Sequence, residues 1–140
     1  MTIVVDETDA KAHAKLREYQ SYGSYDGALV LTSGWTGIDF GRYAPGDNVR
    51  KVETNAIISA VEHLAEGGKT WTIEELAKWA SVGGLGPLFV GSAATVADQL
   101  QQWVEVTDLD GFNLAYAVAH ETFEDVVEHL VPELQRRGVY

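Results

Sequence analysis

The sequence predicts an α/β protein in which parallel strands alternate with helices, forming a doubly wound sheet or part of a barrel. Two observations predict this class. The strand-like runs PLFV and GFNLAYAV are each followed by a helical pattern, and the N-terminal run TIVV precedes another helix. Because a crossover helix joins successive strands, we expect them to be parallel, with any ligand at their carboxyl ends.

The composition is that of one folded domain, which we expect to span 1–140. Hydrophobic residues make up 46% of the 140 residues and the net charge is -11. This charge argues against nucleic-acid and anionic-membrane partners, which recruit clustered Lys and Arg. The chain has no cysteine, no secretory-signal pattern and no apolar run near the roughly 20 residues that cross a bilayer. These features favour a cytoplasmic protein.

The N-terminal segment predicts the tail of a strand and then a helix. The run TIVV is β-branched, and the acidic residues from Asp6 to Asp9 favour the start of a helix that continues to about Tyr19. Ala12, Leu16 and Tyr19 have the spacing of one buried face.

The stretch 21–70 is irregular, and we interpret it as an insertion. The apolar run ALVLTSGW leads into PGDN with glycines nearby, a composition that opposes a long helix. Such connections in α/β enzymes either cover a site or serve as structural padding. A helical face follows and consists of Ile57, Ile58, Val61 and Leu64.

Two helices carry N-terminal capping signals. Thr72 and Glu75 form a capping box ahead of a short helix. Ser92, which follows the short strand and Gly91, is the expected N-cap of the next helix. Ser92 either acts only as this cap or also binds a phosphate, which Gly91 would let approach the backbone. The glycine motifs of P-loops and dinucleotide sites do not accompany this turn.

The run from Phe112 to Val118 predicts a strand with unequal faces. Its large side chains alternate with Asn113, Ala115 and Ala117, so the small face either leaves room for a ligand or packs tightly. We expect the last helix to begin at Thr122, with Asp125 in the capping-box position. At Pro132 we expect a kink or a new first turn.

The histidines predict no metal site. His13, His63 and His129 lie on predicted helices among charged residues, where we expect them to be solvated. His120 differs because it follows the last strand, at the rim where a ligand would bind. It is either a general acid or base there or a loop residue without a chemical role.

Two long segments carry a resemblance to a known family. The run GPLFVGSAATVADQLQQWVEVTDLDGFNLAYAV, followed by TFEDVVEHLVPELQRRGVY, resembles the C-terminal end of flavin-dependent monooxygenases of the bacterial luciferase-like superfamily. The spaced combination of VGS, VADQL, DGFNL and VPELQRRG is similar to nitrilotriacetate monooxygenase, dibenzothiophene-sulfone monooxygenase and pristinamycin synthase component A. Since VVDETDAKAHAKL and LTSGWTGIDF are also similar, the resemblance covers nearly the whole chain.

This resemblance implies a (β/α)8 barrel, of which the chain would supply the end of strand six, a helical insertion, and βα units seven and eight. Because a complete barrel needs about 250 residues, we expect a helix-rich partial barrel without strands one to five. Such enzymes bind reduced FMN from a separate flavin reductase and oxidise a small organic substrate with oxygen. We interpret the chain as a fragment or truncated relative of such an enzyme. The alternative is a non-catalytic module that forms a homo-oligomer or docks onto a complementary N-terminal barrel part.

The resemblance also implies candidate site residues. Positions that face or border the flavin are matched by Gly91, Ser92, Asn113 and Tyr116. Because the cofactor performs the difficult chemistry, no catalytic residue and no metal are assigned. At the substrate end the resemblance implies Ser33, Gly34 and Trp35, with Trp35 as an aromatic wall. His120 is a further candidate there because of its place on the rim, not because of the resemblance.

Overall fold

The computed structural model describes residues 1–49, 71–84 and 86–140. The chain divides into two compact units. Unit 1 comprises Met1–Ser21 and Gly86–Tyr140, and unit 2 comprises Tyr22–Leu85. The helix expected around Ile57 to Leu64, with His63, lies outside the described residues. Within the described ranges, no helix has the length and apolar character needed to cross a membrane.

The described part of unit 1 alternates strands and helices, whereas that of unit 2 is helical. The elements of unit 1 are β1 (Thr2–Asp6), α1 (Asp9–Ser21), β2 (Leu88–Ser92), α4 (Ala93–Thr107), α5 (Ala119–Asp125), a π-helical turn (Val126–Leu130) and α6 (Val131–Arg137). Those of unit 2 are α2 (Tyr25–Thr36), a short 3-10 helix (Phe40–Arg42) and α3 (Ile73–Gly83).

The sheet of unit 1 is parallel, as the sequence predicts. β1 pairs with β2 along its whole length, from Thr2 opposite Leu88 to Asp6 opposite Ser92. On its other side, Thr2 makes a parallel bridge to Ala115. β1 is therefore the middle strand of the described sheet, and its residues 2–5 are all buried.

The core of unit 1 lies where the sheet meets α4. Ile3, Val5 and Phe89 pack against Val96 and Leu100. These strand residues share one face because side chains alternate along a strand, and the helical residues share another because they are four positions apart. Each large side chain fully buried here contributes about 1.5–3 kcal/mol relative to exposure.

Unit 2 is built around the packing of α2 against α3. Ser24 caps α2 by accepting the N–H of Gly27 at 3.1 Å. The capping box of α3 is confirmed, because the Thr72 hydroxyl accepts the Glu75 N–H at 3.2 Å and the Glu75 carboxylate accepts the Thr72 N–H at 3.0 Å. The core of this unit includes Leu29, Phe40, Ile73 and Leu76.

The expected strand from Phe112 to Val118 is wrong in extent, because the structure contains a single bridge there, at Ala115. The predicted alternation persists only to this bridge, with Leu114 at the core and Tyr116 exposed by 58%. The reason lies in the next turn, where the Thr122 hydroxyl accepts the N–H groups of residues 117 and 118, both at 3.2 Å. These bonds draw the backbone out of the sheet and into α5.

The last helix also differs from the expectation at its start. It begins at Ala119 rather than Thr122, since Thr122 is buried and its hydroxyl serves the preceding turn. A π-helical turn follows, in which the Val131 N–H bonds to the Val126 carbonyl oxygen. The new first turn expected at Pro132 is confirmed, because α6 begins there with proline in its first turn, where no N–H is needed.

Candidate functional site

The turn between β2 and α4 has the geometry that the sequence predicts for a helix cap. The Ser92 hydroxyl accepts the backbone N–H of Thr95 at 3.4 Å and lies 3.1 Å from the Thr95 hydroxyl. Ser92 is therefore the N-cap of α4. This turn lies at the carboxyl end of β2, the end where parallel α/β proteins bind ligands.

Asp9, the first residue of α1, lies against the same turn. Its carboxylate oxygen Oδ1 accepts the backbone N–H of Ser92 at 2.7 Å, although the two residues are 83 positions apart. The close approach depends on Gly91. A Cβ atom at Gly91 would lie 2.9 Å from Asp9 Oδ1 and 2.7 Å from Thr95 Cγ2, closer than side chains tolerate.

The electrostatics of this contact favour the ionised form of Asp9. The N–H of Ser92 and then the hydroxyls of Thr95 and Ser92 hold the pKa of the Asp9 carboxyl below its ordinary value of 3.8. The first turn of α4 contains no acidic residue of its own. Asp9 therefore places a negative charge at the positive end of the α4 dipole.

A second charged cluster surrounds Lys15 at the carboxyl end of β1. The Lys15 ammonium lies 2.6 Å from the Asp125 carboxylate, 3.2 Å from that of Asp6 and 3.7 Å from that of Glu121. Burial lowers the pKa of Lys15, but hydrogen bonds to Asp125 and Asp6 and their charges outweigh it, so the pKa lies above its ordinary range. Lys15 therefore forms ion pairs that link α1 to the sheet and to α5, and it is not a nucleophile.

The remaining candidates in unit 1 lie on the segment that leaves the sheet. The Asn113 carbonyl oxygen accepts a hydrogen bond from the Met1 nitrogen at 2.9 Å. The Tyr116 ring lies 5.8 Å from that of Phe123, and both are exposed. His120 is an exposed residue of the first turn of α5. The structure thus gives Tyr116 an aromatic neighbour and leaves His120 in solvent.

The three candidates in unit 2 lie on the last turn of α2. The Ser33 hydroxyl accepts the backbone N–H of Phe40 at 3.1 Å and so fixes the chain after the helix. Gly34 is exposed, and Trp35 is exposed by 43%. The Trp35 ring also packs beside Gly84, within 3.6 Å of the position a Cβ would take there. Part of the indole is therefore available to a ligand.

Unit 2 also carries an open groove of about 410 Å³ that none of the sequence-selected residues lines. It runs between the start of α2 and the exposed side of α3. Its lining includes Tyr25, whose hydroxyl pKa is raised by burial and then by the charges of Glu74 and Asp26. The phenol therefore stays neutral.

Comparison with known proteins extends these observations. No protein-family model matches the chain. It is 40% identical over 140 residues to the dimethyl-sulfide monooxygenase of Hyphomicrobium sulfonivorans, a match that covers 99% of this chain and 29% of the relative. It is 36% identical over 138 residues to the long-chain alkane monooxygenase of Geobacillus thermodenitrificans, with 99% and 28% covered. The homologues of this chain are flavin-dependent monooxygenases of the luciferase-like family.

Solved structures agree with this relationship to luciferase-like monooxygenases. The crystal structure of DmoA from the same Hyphomicrobium superposes with a TM-score of 0.86 at 39% identity, covering 98% of this chain and 29% of that one. A crystal structure of riboflavin lyase with modified FMN and riboflavin gives 0.74 at 28% identity, covering 99% and 30%. The expected fold, a helix-rich partial TIM barrel, is confirmed. The chain spans less than a third of the length of the relatives it matches.

Proposed function

We propose that this chain is the C-terminal part of an FMN-dependent, two-component monooxygenase that oxidises a small organic substrate with oxygen in the cytoplasm. A separate flavin reductase supplies the reduced cofactor. The isolated chain does not turn over substrate, because it corresponds to less than a third of its relatives. Dimethyl sulfide, from the name of the 40% identical relative, is the first substrate to test.

One observation carries this proposal. Nearly the whole chain superposes on DmoA, while covering 29% of that protein. The resemblance is therefore not confined to a single motif or to one of the two units. A chain that keeps so large a shared structure has the parts of a luciferase-like rim and needs the remaining strands to complete a closed site.

The residues of unit 1 fit the ring of a flavin better than its phosphate. The exposed Tyr116 and Phe123 form an aromatic surface beside the end of the sheet, suited to a flat heterocycle. Asn113 can supply a polar side chain, and Gly91 with Ser92 form the neighbouring turn. When bound, reduced FMN supplies the oxygen chemistry, and these residues orient it and exclude water.

Candidate substrate contacts are proposed for each unit separately. In unit 2, Ser33 and Gly34 shape the end of α2, and the exposed part of Trp35 is an apolar wall for a small substrate. In unit 1, His120 lies in solvent at the start of α5, where it can reach a polar group of a ligand.

A chimera tests the proposal directly. In the Hyphomicrobium dimethyl-sulfide monooxygenase, the matched segment is replaced by this chain, and flavin binding and sulfide oxidation are measured with a flavin reductase. We expect a folded chimera that binds flavin, and weaker flavin binding when Tyr116 is replaced by alanine. The matched control is Tyr140→Ala, because Tyr140 is exposed by 77% and lies at the end of the chain.

The isolated chain provides the opposite arm of the test. Titration with FMN should give no tight binding, and addition of a flavin reductase should give no substrate oxidation. Submicromolar binding by this chain alone, followed by turnover, would contradict the claim that it is an incomplete barrel. A folded chimera that binds no flavin would contradict the assignment of function.

The alternative of a non-catalytic, oligomeric or partner-docking module is favoured by the second half of α4 and the turn after it. Every residue from 101 to 110 is exposed, and large apolar side chains are among them. These are Trp103, Val104, Val106 and Leu109, with exposures of 36–77%. Several exposed large apolar side chains within one short segment favour an interaction site. Light scattering after size exclusion decides whether the partner is a second copy, since a monomer at high concentration excludes a homo-oligomer.

A further inference from the structure

The N-terminus of α4 is a favourable position for a phosphate, and a side chain of the protein already occupies it. The aligned N–H groups of a helix start attract one negative group. Here the Ser92 N–H donates to Asp9 Oδ1 at 2.7 Å, and the helix brings no acidic residue of its own. Asp9 therefore takes the place that an anionic ligand would take in a turn of this kind.

Protein atoms also occupy the space that a phosphate would need at this turn. A single added carbon at Gly91 would meet Asp9 Oδ1 at 2.9 Å and Thr95 Cβ at 2.8 Å. A phosphate group, with four oxygens around its phosphorus, needs more room than one methyl group. It could reach the Ser92 N–H only after the Asp9 carboxylate had moved away.

The two lysines of α1 do not compensate for a second negative charge. Lys11 is paired with Glu7, and Lys15 is held by Asp6 and Asp125. A phosphate beside Asp9 would therefore meet a carboxylate at close range, while the nearby ammonium groups already contact carboxylates.

We propose that Asp9 is a specificity-determining residue that occupies the anion position of the Ser92 turn and excludes phosphate from it. A ligand that reaches the wild-type turn contacts it through a neutral group. The exclusion of phosphate depends only on the geometry of this chain. The conclusion that this exclusion also applies to the phosphate of FMN rests on the function proposed above.

Titration with inorganic phosphate, followed by NMR at the Ser92 amide, tests this role. In the wild-type chain we expect no saturable shift, whereas Asp9→Ala should bind phosphate about tenfold more tightly or better. The control Asp110→Ala removes the same charge from an exposed turn after α4 and should behave like the wild type. Saturable binding at Ser92 in the wild type, or no gain in Asp9→Ala, overturns the proposal.

A second measurement needs no variant and decides the matter if Asp9→Ala fails to fold. The pKa of Asp9 in the wild-type chain is measured with and without phosphate. It should stay unchanged, since a phosphate bound beside the carboxylate would raise it. A raised value overturns the proposal.

The flavin arm of the experiment compares FMN with riboflavin, which lacks the phosphate. In the chimera we expect Asp9→Ala to improve the binding of FMN but not that of riboflavin. If neither flavin binds, the proposed function fails, and the phosphate titration still decides the role of Asp9. If Asp9→Ala improves the binding of FMN and of riboflavin equally, Asp9 does not select against phosphate.

Discussion

The first backbone N–H groups of helices α3 and α4 are capped in different ways. At α3, Thr72 and Glu75 satisfy each other's N–H groups within four residues of sequence. At α4, Ser92 supplies a local hydroxyl, but the carboxylate comes from Asp9, on another helix. Both ends pair a hydroxyl cap with an acidic side chain, and they differ in where that acid comes from.

This difference shows what each cap does for the fold. The capping box of α3 is local and stabilises the start of one helix. The Asp9 contact joins the start of α1 to the start of α4, and hence the ends of the two paired strands from which these helices leave. A cap assembled from distant parts of the chain therefore also positions the rim of the sheet.

The largest expected effect comes from Gly91→Ala. The new methyl group would lie within 3 Å of Thr95 and Asp9, so the turn must shift or lose the long-range contact. We expect the free energy of unfolding to fall by about 2 kcal/mol. Urea denaturation measures this, with Gly111→Ala as the control, because a Cβ at Gly111 meets nothing within 4 Å. Equal effects of the two variants would show that the turn is not tightly packed.

Thr72→Ala should have the next largest effect. It removes the hydroxyl that accepts the Glu75 N–H, and the acidic partner alone cannot replace it. We expect a loss of about 1 kcal/mol. The rings of Trp71 and Trp79, 5.7 Å apart, report unfolding of this region by fluorescence. Thr72→Ser retains the hydroxyl and should stay close to the wild type, and a similar loss in both variants would contradict this account of the cap.

Ser92→Ala should cost less than Thr72→Ala, about 0.5 kcal/mol. Alanine keeps the backbone N–H, so Asp9 continues to accept it and to place its charge at the helix start. Fluorescence of Trp103, whose ring lies 6.0 Å from Phe89, follows this region during urea denaturation. A loss larger than that of Thr72→Ala would show that the distant carboxylate does not support α4.

The same comparison explains how much of the molecule could be predicted from its sequence. The capping box at Thr72, the cap at Ser92 and the new first turn at Pro132 depend on neighbouring residues, and all three are confirmed. The strand ending at Val118 was predicted too long because its alternation is local. The Thr122 hydroxyl ends the strand by accepting the Ala117 N–H. From the sequence pattern, Thr122 was expected to begin a helix instead.

The charged contacts of the rim could not be predicted. The sequence pattern predicts that Asp6 and Asp9 favour the start of a helix, which is the more frequent role of acidic residues at this position. Nothing in the sequence pairs Asp9 with Ser92, or Lys15 with Asp125 across 110 positions. The sole local sign was the location of Asp6 and Asp9 at and just after the end of a strand, where ligands and polar contacts gather in parallel sheets.

The pKa of Asp9 is the quantity that tests the long-range cap most directly. Hydrogen bonds lower the pKa of Asp9 in the folded chain. The ionised carboxylate therefore stabilises the fold at pH values above its ordinary pKa of 3.8, and this stabilisation is lost as the pH falls through the lower pKa of the folded state. An NMR titration can follow the Asp9 carboxyl carbon and the Ser92 amide proton together. We expect both to change with one pKa below 3.8. An Asp9 pKa at or above the ordinary value, with a Ser92 amide that does not respond, would contradict the account.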